Sequence, residues 1–164
     1  CSVAGESEPR VPPDQEGEAF FRPRADEIPL TVADYRARAL AQGAINHWEA
    51  AGVAAGQLVL VESGGADVAL SVAKPVDPDC VPSEQDDCTR NGQTHRDNGS
   101  RLEWVRVWEG APVRTWVHEF GHVLGAKRHT EPGTGVMYTG ACIDEASLSL
   151  ICETAYCDHF SPEC

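Results

Sequence analysis

The stretch that decides the fold runs from His118 to His129 and reads HEFGHVLGAKRH, and Gly135-Val136-Met137-Tyr138 follows it closely. Its first five residues have the pattern H-E-x-x-H. On a helix this spacing places His118 and His122 one turn apart on the same face, where two imidazoles can bind one zinc ion. Glu119 then lies beside the metal without being a ligand, as a general base for water requires. The pattern predicts a catalytic zinc site.

The residues around this motif predict the helix that it needs. Pro112 is well placed as a first helical residue, and Gly125 is a natural C-terminal stop. Apolar side chains recur between them at helical spacing: Val113, Trp116, Val117, Phe120 and Leu124. The motif therefore lies on a predicted amphipathic helix whose other side faces the core.

The chain as a whole predicts one α+β domain over residues 28–164, preceded by an extended arm over residues 1–27 that is rich in Pro, Gly, Glu and Arg. Two further amphipathic helices are predicted, a long first helix that ends near Gly52 and a last helix from Ile143 to Tyr156. Short apolar or alternating runs predict the strands: 28–32, 58–61, 66–73 and 102–108. Residues 74–100 hold several Pro and Asp residues and predict a long loop.

Composition narrows the range of partners. A chain of 164 residues with 41% apolar content can bury one core, and we expect a monomer. The chain has no apolar run of about 18 residues, so no transmembrane segment is predicted. The formal charge of −13 argues against a nucleic-acid partner. Acidic residues gather at 14–18 and 77–87, which indicates a solvated surface, a calcium site or a preference for cationic substrates.

Seven cysteines predict disulfides and an oxidising compartment, because none of them forms a C-x-x-C pair. Cys80 and Cys88 flank a short polar loop and are expected to pair. The last four are expected to pair among themselves, with the connectivity open: Cys142, Cys152, Cys157 and Cys164. We therefore expect a secreted protein.

Cys1 is the cysteine left over. A chain that begins Cys-Ser resembles a bacterial lipoprotein after signal cleavage, which would anchor the protein to the cell-envelope surface through a lipid on Cys1. Cys1 can also be the cut end of a longer chain, a disulfide partner, or a thiolate that caps the zinc before activation.

The motif extends to H-E-x-x-H-x-x-G with a further His and a Met-turn, and this combination resembles the metzincin zinc peptidases, most closely their matrixin-type branch. The resemblance implies a twisted mixed β-sheet with a long first helix, an active-site helix and a C-terminal helix. It implies that an antiparallel edge strand binds a protein or peptide substrate by backbone pairing. It implies one zinc ion on three histidines, Glu119 as the base and Met137 as an apolar floor beneath the metal. The histidines in question are His118, His122 and His129.

The chain departs from the family pattern at the third ligand. Three residues, not two, separate Gly125 from His129, and Arg128 occupies the usual ligand position. Arginine cannot serve there because it is permanently cationic. Either the turn bulges to deliver His129, or another residue is the third ligand: Glu131, Asp144 or His159. Tyr138, directly after Met137, is a candidate for stabilising an oxyanion or contacting substrate.

These patterns predict a secreted zinc-dependent endopeptidase that uses Glu119 as general base. Calcium is a second candidate metal ion. The alternative is a non-catalytic or latent extracellular binding module on the same scaffold, with zinc in a structural role.

Overall fold

The computed structural model describes residues 2–3, 28–31, 35–61, 68–73, 92–96, 102–108, 110–131, 135–138 and 140–164. Within these ranges the chain forms three helices and six strands. The helices are α1 (Tyr35–Ala51), α2 (Val113–Val123) and α3 (Glu145–Cys152). The strands are β1 (Ser2–Val3), β2 (Ile28–Thr31), β3 (Leu58–Val61), β4 (Val68–Ala73), β5 (Gly92–Arg96) and β6 (Leu102–Trp108). The α+β class is confirmed.

The six strands form one mixed sheet in the order β1-β5-β6-β4-β2-β3. The four strands predicted from apolar runs pair parallel to one another, β3 with β2, β2 with β4 and β4 with β6. Strand β5 pairs antiparallel with β6, and Thr94 lies opposite Val105 in that register. Helix α2 follows β6 after a short turn and contacts both β5 and β6. The sheet therefore brings β5 against the helix that carries the motif.

Strand β5 corrects the prediction that residues 74–100 form a loop throughout. Its sequence, Gly-Gln-Thr-His-Arg, lacks the apolar residues that indicate a strand, and the ladder with β6 imposes the extended conformation. The other long side of β5 is also paired, because Ser2 and Val3 lie parallel to Gln93 and Thr94. Strand β5 is therefore paired on both sides, with β1 and with β6.

The last helix is shorter than the predicted range from Ile143 to Tyr156, and two disulfides hold the C-terminal segment. Helix α3 ends at Cys152, and a turn brings Cys157 back to it in the first disulfide. The second disulfide joins Cys142 to Cys164 across 22 residues. The last four cysteines thus pair among themselves, as predicted. Both bonds are consistent with an extracellular protein.

Helices α1 and α2 pack against each other at the centre of the core. Trp48 of α1 is fully buried, and its indole Nε1 donates a 2.8 Å hydrogen bond to the carbonyl oxygen of Val117 in α2. A hydrogen bond of this kind contributes about 1 kcal/mol to stability. No helix among the described ranges has the length and apolarity needed to cross a membrane.

Gly121 allows the closest contact in this core. A Cβ atom at Gly121 would overlap Met137 Sδ and would lie 3.2 Å from Trp48 Cζ2. Met137 is fully buried, so it has no room to move away. The absence of a side chain at Gly121 therefore lets the Met-turn lie directly against α2.

We predict that Gly121→Ala destabilises the protein by about 1–3 kcal/mol, because overfilling a close-packed core costs that much. Gly43 in α1 is the matched control, since its added Cβ would meet Val113 Cγ2 at an ordinary 3.4 Å. Gly43→Ala should stabilise by up to about 1 kcal/mol through helix propensity. Urea unfolding of both variants measures the difference. Equal effects would contradict this account of the packing.

Candidate metal centre

Helix α2 places His118 and His122 on one buried face and ends in a turn that orients the second of them. Gly125 has a φ of 127°, which favours glycine, and its N–H donates to the His122 carbonyl oxygen. The Ala126 N–H donates to the Gly121 carbonyl oxygen, which completes a Schellman turn. This turn presents the Ala126 carbonyl oxygen to His122 Nδ1 at 2.7 Å.

The Met-turn orients the first histidine in the same way. His118 Nδ1 lies 2.6 Å from the carbonyl oxygen of Val136. The Met-turn is fixed on both sides of this contact, because Val136 N–H donates to the Cys142 carbonyl oxygen and Met137 N–H donates to Ser147 Oγ. The His118 ring is therefore held by a segment that α3 supports.

His129 reaches the same point despite the additional residue before it. The next residue, Thr130, donates its N–H to the Met137 carbonyl oxygen at 3.0 Å, which ties this segment to the Met-turn. Arg128 turns outward and contacts the Glu153 carboxylate at 3.3 Å, where both side chains are exposed. Of the alternatives that the sequence left open, the structure has the one in which His129 lies with His118 and His122.

The three imidazole Nε2 atoms converge. They lie 3.1 Å apart for His118 and His122, 3.2 Å for His118 and His129, and 3.3 Å for His122 and His129. Tetrahedral zinc with Zn–N bonds of about 2.0–2.1 Å separates its nitrogens by about 3.3 Å. The triad can hold a metal ion, and the nitrogen separations fit zinc.

Tautomers give a second reason that the triad fits a cation. A carbonyl oxygen can only accept a hydrogen bond, so Nδ1 carries the proton in His118 and in His122. In the neutral rings Nε2 then has a lone pair, and two such lone pairs face each other at 3.1 Å. This contact is repulsive without a positive charge between the rings.

The protonation of the triad suits a metal site. Burial lowers the pKa of His118 from 6.5 to about 4, because desolvation disfavours the imidazolium; the hydrogen bond to Val136 opposes this shift, and the charge of His129 adds to it. Burial also lowers the pKa of the partly buried His129. His118 therefore stays neutral, as a metal ligand must, at mildly acidic pH, and the pKa of His129 is shifted in the same direction.

Glu119 is fully buried between α2 and β5. Its Oε2 accepts a 2.5 Å hydrogen bond from the hydroxyl of Thr94, a buried residue of β5. Nothing in the sequence pattern predicts this contact, because no strand is predicted at Thr94. A buried carboxylate is costly unless it is hydrogen-bonded, so this hydroxyl offsets part of that cost.

The other residues considered as ligands or substrate contacts lie elsewhere. The Asp144 carboxylate caps α3 by accepting from the Ser147 N–H, and His159 Nε2 contacts the Ala50 carbonyl oxygen. Glu131 is exposed and is not part of the triad. Tyr138 is partly exposed next to Met137, which lies fully buried against Gly121.

Several predictions fall on residues that the structure does not describe. These are Cys1, the Cys80–Cys88 pair, and the two acidic stretches at 14–18 and 77–87 considered for calcium. Within the described part of the chain, the histidine triad is the one group of three or more metal-ligating side chains that converges.

No protein-family model matches the chain, and no curated protein matches it. The functional assignment therefore depends on the geometry of the triad and of Glu119.

We predict that His118 titrates at about pH 4 in the metal-free protein, against 6.5 in the unfolded chain. Below pH 6.5 the unfolded state then binds more protons, so stability falls as the pH drops from about 6.5 to about 4, by about 3 kcal/mol in total. Histidine Cε1 proton shifts and urea unfolding in EDTA measure both quantities. In His118→Gln the stability should not show this fall between pH 6.5 and pH 4. A titration midpoint of His118 near pH 6.5 would contradict the burial argument.

Proposed function

We propose that the protein is a secreted zinc-dependent endopeptidase of metzincin type, most like the matrixin-type branch. The observation that carries the proposal is the convergence of His118, His122 and His129 with a buried carboxylate at the next position after His118. Three imidazoles are a ligand set typical of catalytic zinc, which keeps a fourth position open for water or substrate. Glu119 has the place in the sequence that a general base has in an H-E-x-x-H helix.

In this mechanism the triad holds the ion and Glu119 moves the proton. A zinc ion held by the three histidines would supply Lewis acidity, which would lower the pKa of a water molecule to about 7 and polarise the scissile carbonyl. As the water oxygen bonds to the carbonyl carbon, Glu119 accepts the proton that the water loses. Glu119 then gives this proton to the nitrogen as the C–N bond breaks, so that a carboxylic acid and an amine leave.

The elements around the triad supply orientation. The carbonyl oxygens of Val136 and Ala126 orient the rings of His118 and His122. These hydrogen bonds also make the Nε2 atoms of both rings better electron-pair donors to a metal ion. Met137 fills the space beneath α2 without being a ligand. An extended peptide that pairs with β5 would take the place of Ser2 and Val3 along that strand.

The alternative is a non-catalytic or latent binding module with structural zinc. The pairing of Ser2 and Val3 with β5 favours latency, since it covers the strand that would bind substrate. The burial of Glu119 favours an enzyme, because a structural zinc site gains nothing from a carboxylate placed beside its ligands. The disulfides and the histidine triad agree with either function.

We predict that the zinc-loaded protein cleaves casein or a mixed peptide library, and that Glu119→Gln lowers kcat/KM by about 10²–10⁴-fold, the usual contribution of a general base. The substitution keeps shape and removes the charge, so one zinc ion per chain should still bind. Glu145→Gln, at an exposed position of α3, is the matched control and should cleave like the wild type. Undiminished cleavage by Glu119→Gln, or a wild-type protein that binds no zinc, would refute the proposal.

A further inference from the structure

The carboxylate of Glu119 lies in a cradle made by two residues of β5 and one residue of α2. Thr94 Oγ1 donates to its Oε2. A Cβ atom at Gly92 would lie 2.8 Å from Glu119 Cγ and 2.9 Å from both Oε1 and Thr115 Cγ2. There is thus no space for a side chain at Gly92, and the carboxylate is enclosed from the strand side.

The register of the sheet creates this cradle. Gly92 and Thr94 are two residues apart on β5, so they face the same side of the sheet. They pair with Val107 and Val105 of β6, the strand that leads into α2. A shift of β5 by one residue would turn both away from α2. The position of the Thr94 hydroxyl is therefore set by the backbone ladder and not by a flexible loop.

The hydroxyl of Thr94 has one proton and two acceptors within reach. Glu119 Oε2 lies at 2.5 Å, and the Glu119 backbone carbonyl oxygen lies at 3.4 Å. The carboxylate takes the proton because it is closer and charged, and hydrogen bonds to charged groups are about twice as strong as neutral ones. Both residues are fully buried, so water does not compete for this contact.

We infer that Thr94 is a positioning residue for Glu119. Its hydroxyl holds the carboxylate in one orientation, so that the proton acceptor is in place before substrate binds. The inference rests on the proposed function for its catalytic consequence, and on the hydrogen bond alone for its structural part. Thr94 acts through Glu119 and is assigned no contact of its own with substrate or metal, so its loss should lower the rate of the chemical step and leave substrate binding unchanged.

The kinetic test compares Thr94→Val, which keeps the shape and removes the hydroxyl, with Thr94→Ser, which keeps the hydroxyl. In the zinc-loaded full chain, Thr94→Val should lower kcat by about 10–100-fold with KM and zinc content unchanged, because a misplaced catalytic group costs up to about 10²-fold. Thr94→Ser should stay within about three-fold of the wild type. Full kcat in Thr94→Val, or an equal loss in Thr94→Ser, would overturn the inference.

A second measurement needs neither metal nor activity. In the metal-free protein the Thr94 hydroxyl proton should give a downfield, slowly exchanging NMR resonance that disappears in Thr94→Val and shifts in Glu119→Gln. A resonance that is absent, or that does not respond to Glu119→Gln, overturns the inference. A wild-type protein with this resonance but without peptidase activity would refute the proposed function and leave the Thr94–Glu119 contact established.

Discussion

Two hydrogen bonds from imidazole Nδ1 atoms to backbone carbonyl oxygens determine the arrangement of the candidate centre. They fix the tautomer of His118 and of His122, and they turn the Nε2 lone pairs of both rings toward one point. Lone pairs at 3.1 Å repel unless a cation neutralises them. The rest of the fold holds the two rings in this arrangement, as a site for a metal ion requires.

The two carbonyl oxygens come from turns that the core and the C-terminal segment support. The Schellman turn after α2 depends on Gly125, and the Met-turn lies against α2 because Gly121 has no side chain. The disulfide from Cys142 to Cys164 ties the end of the Met-turn segment to the C-terminus. In the same region Glu163 pairs with His47 of α1 at 2.6 Å. The first helix and the last residues of the chain thus both brace the Met-turn.

Much of the fold follows from the sequence because periodic apolar residues and glycine stops are local features. Helices α1 and α2, strand β6 and the pairing of the last four cysteines were predictable on this basis. Strand β5 was not, because its conformation comes from pairing with residues that follow it in the chain. The hydrogen bond from Thr94 to Glu119 was not predictable either, because it depends on the position of β5. The register of a sheet depends on two strands that are separate in the sequence, whereas helical periodicity can be recognised within one segment.

The third histidine is the point where sequence spacing alone left alternatives. Arg128 occupies the position of the usual ligand, and its outward contact with Glu153 accompanies a turn that delivers His129. X-ray absorption at the zinc edge of the loaded protein tests this arrangement most directly. We expect a shell of nitrogen and oxygen at about 2.0–2.1 Å with scattering from three imidazoles, reduced to two in His129→Ala. A sulfur ligand at about 2.3 Å, or a spectrum unchanged in His129→Ala, would contradict it.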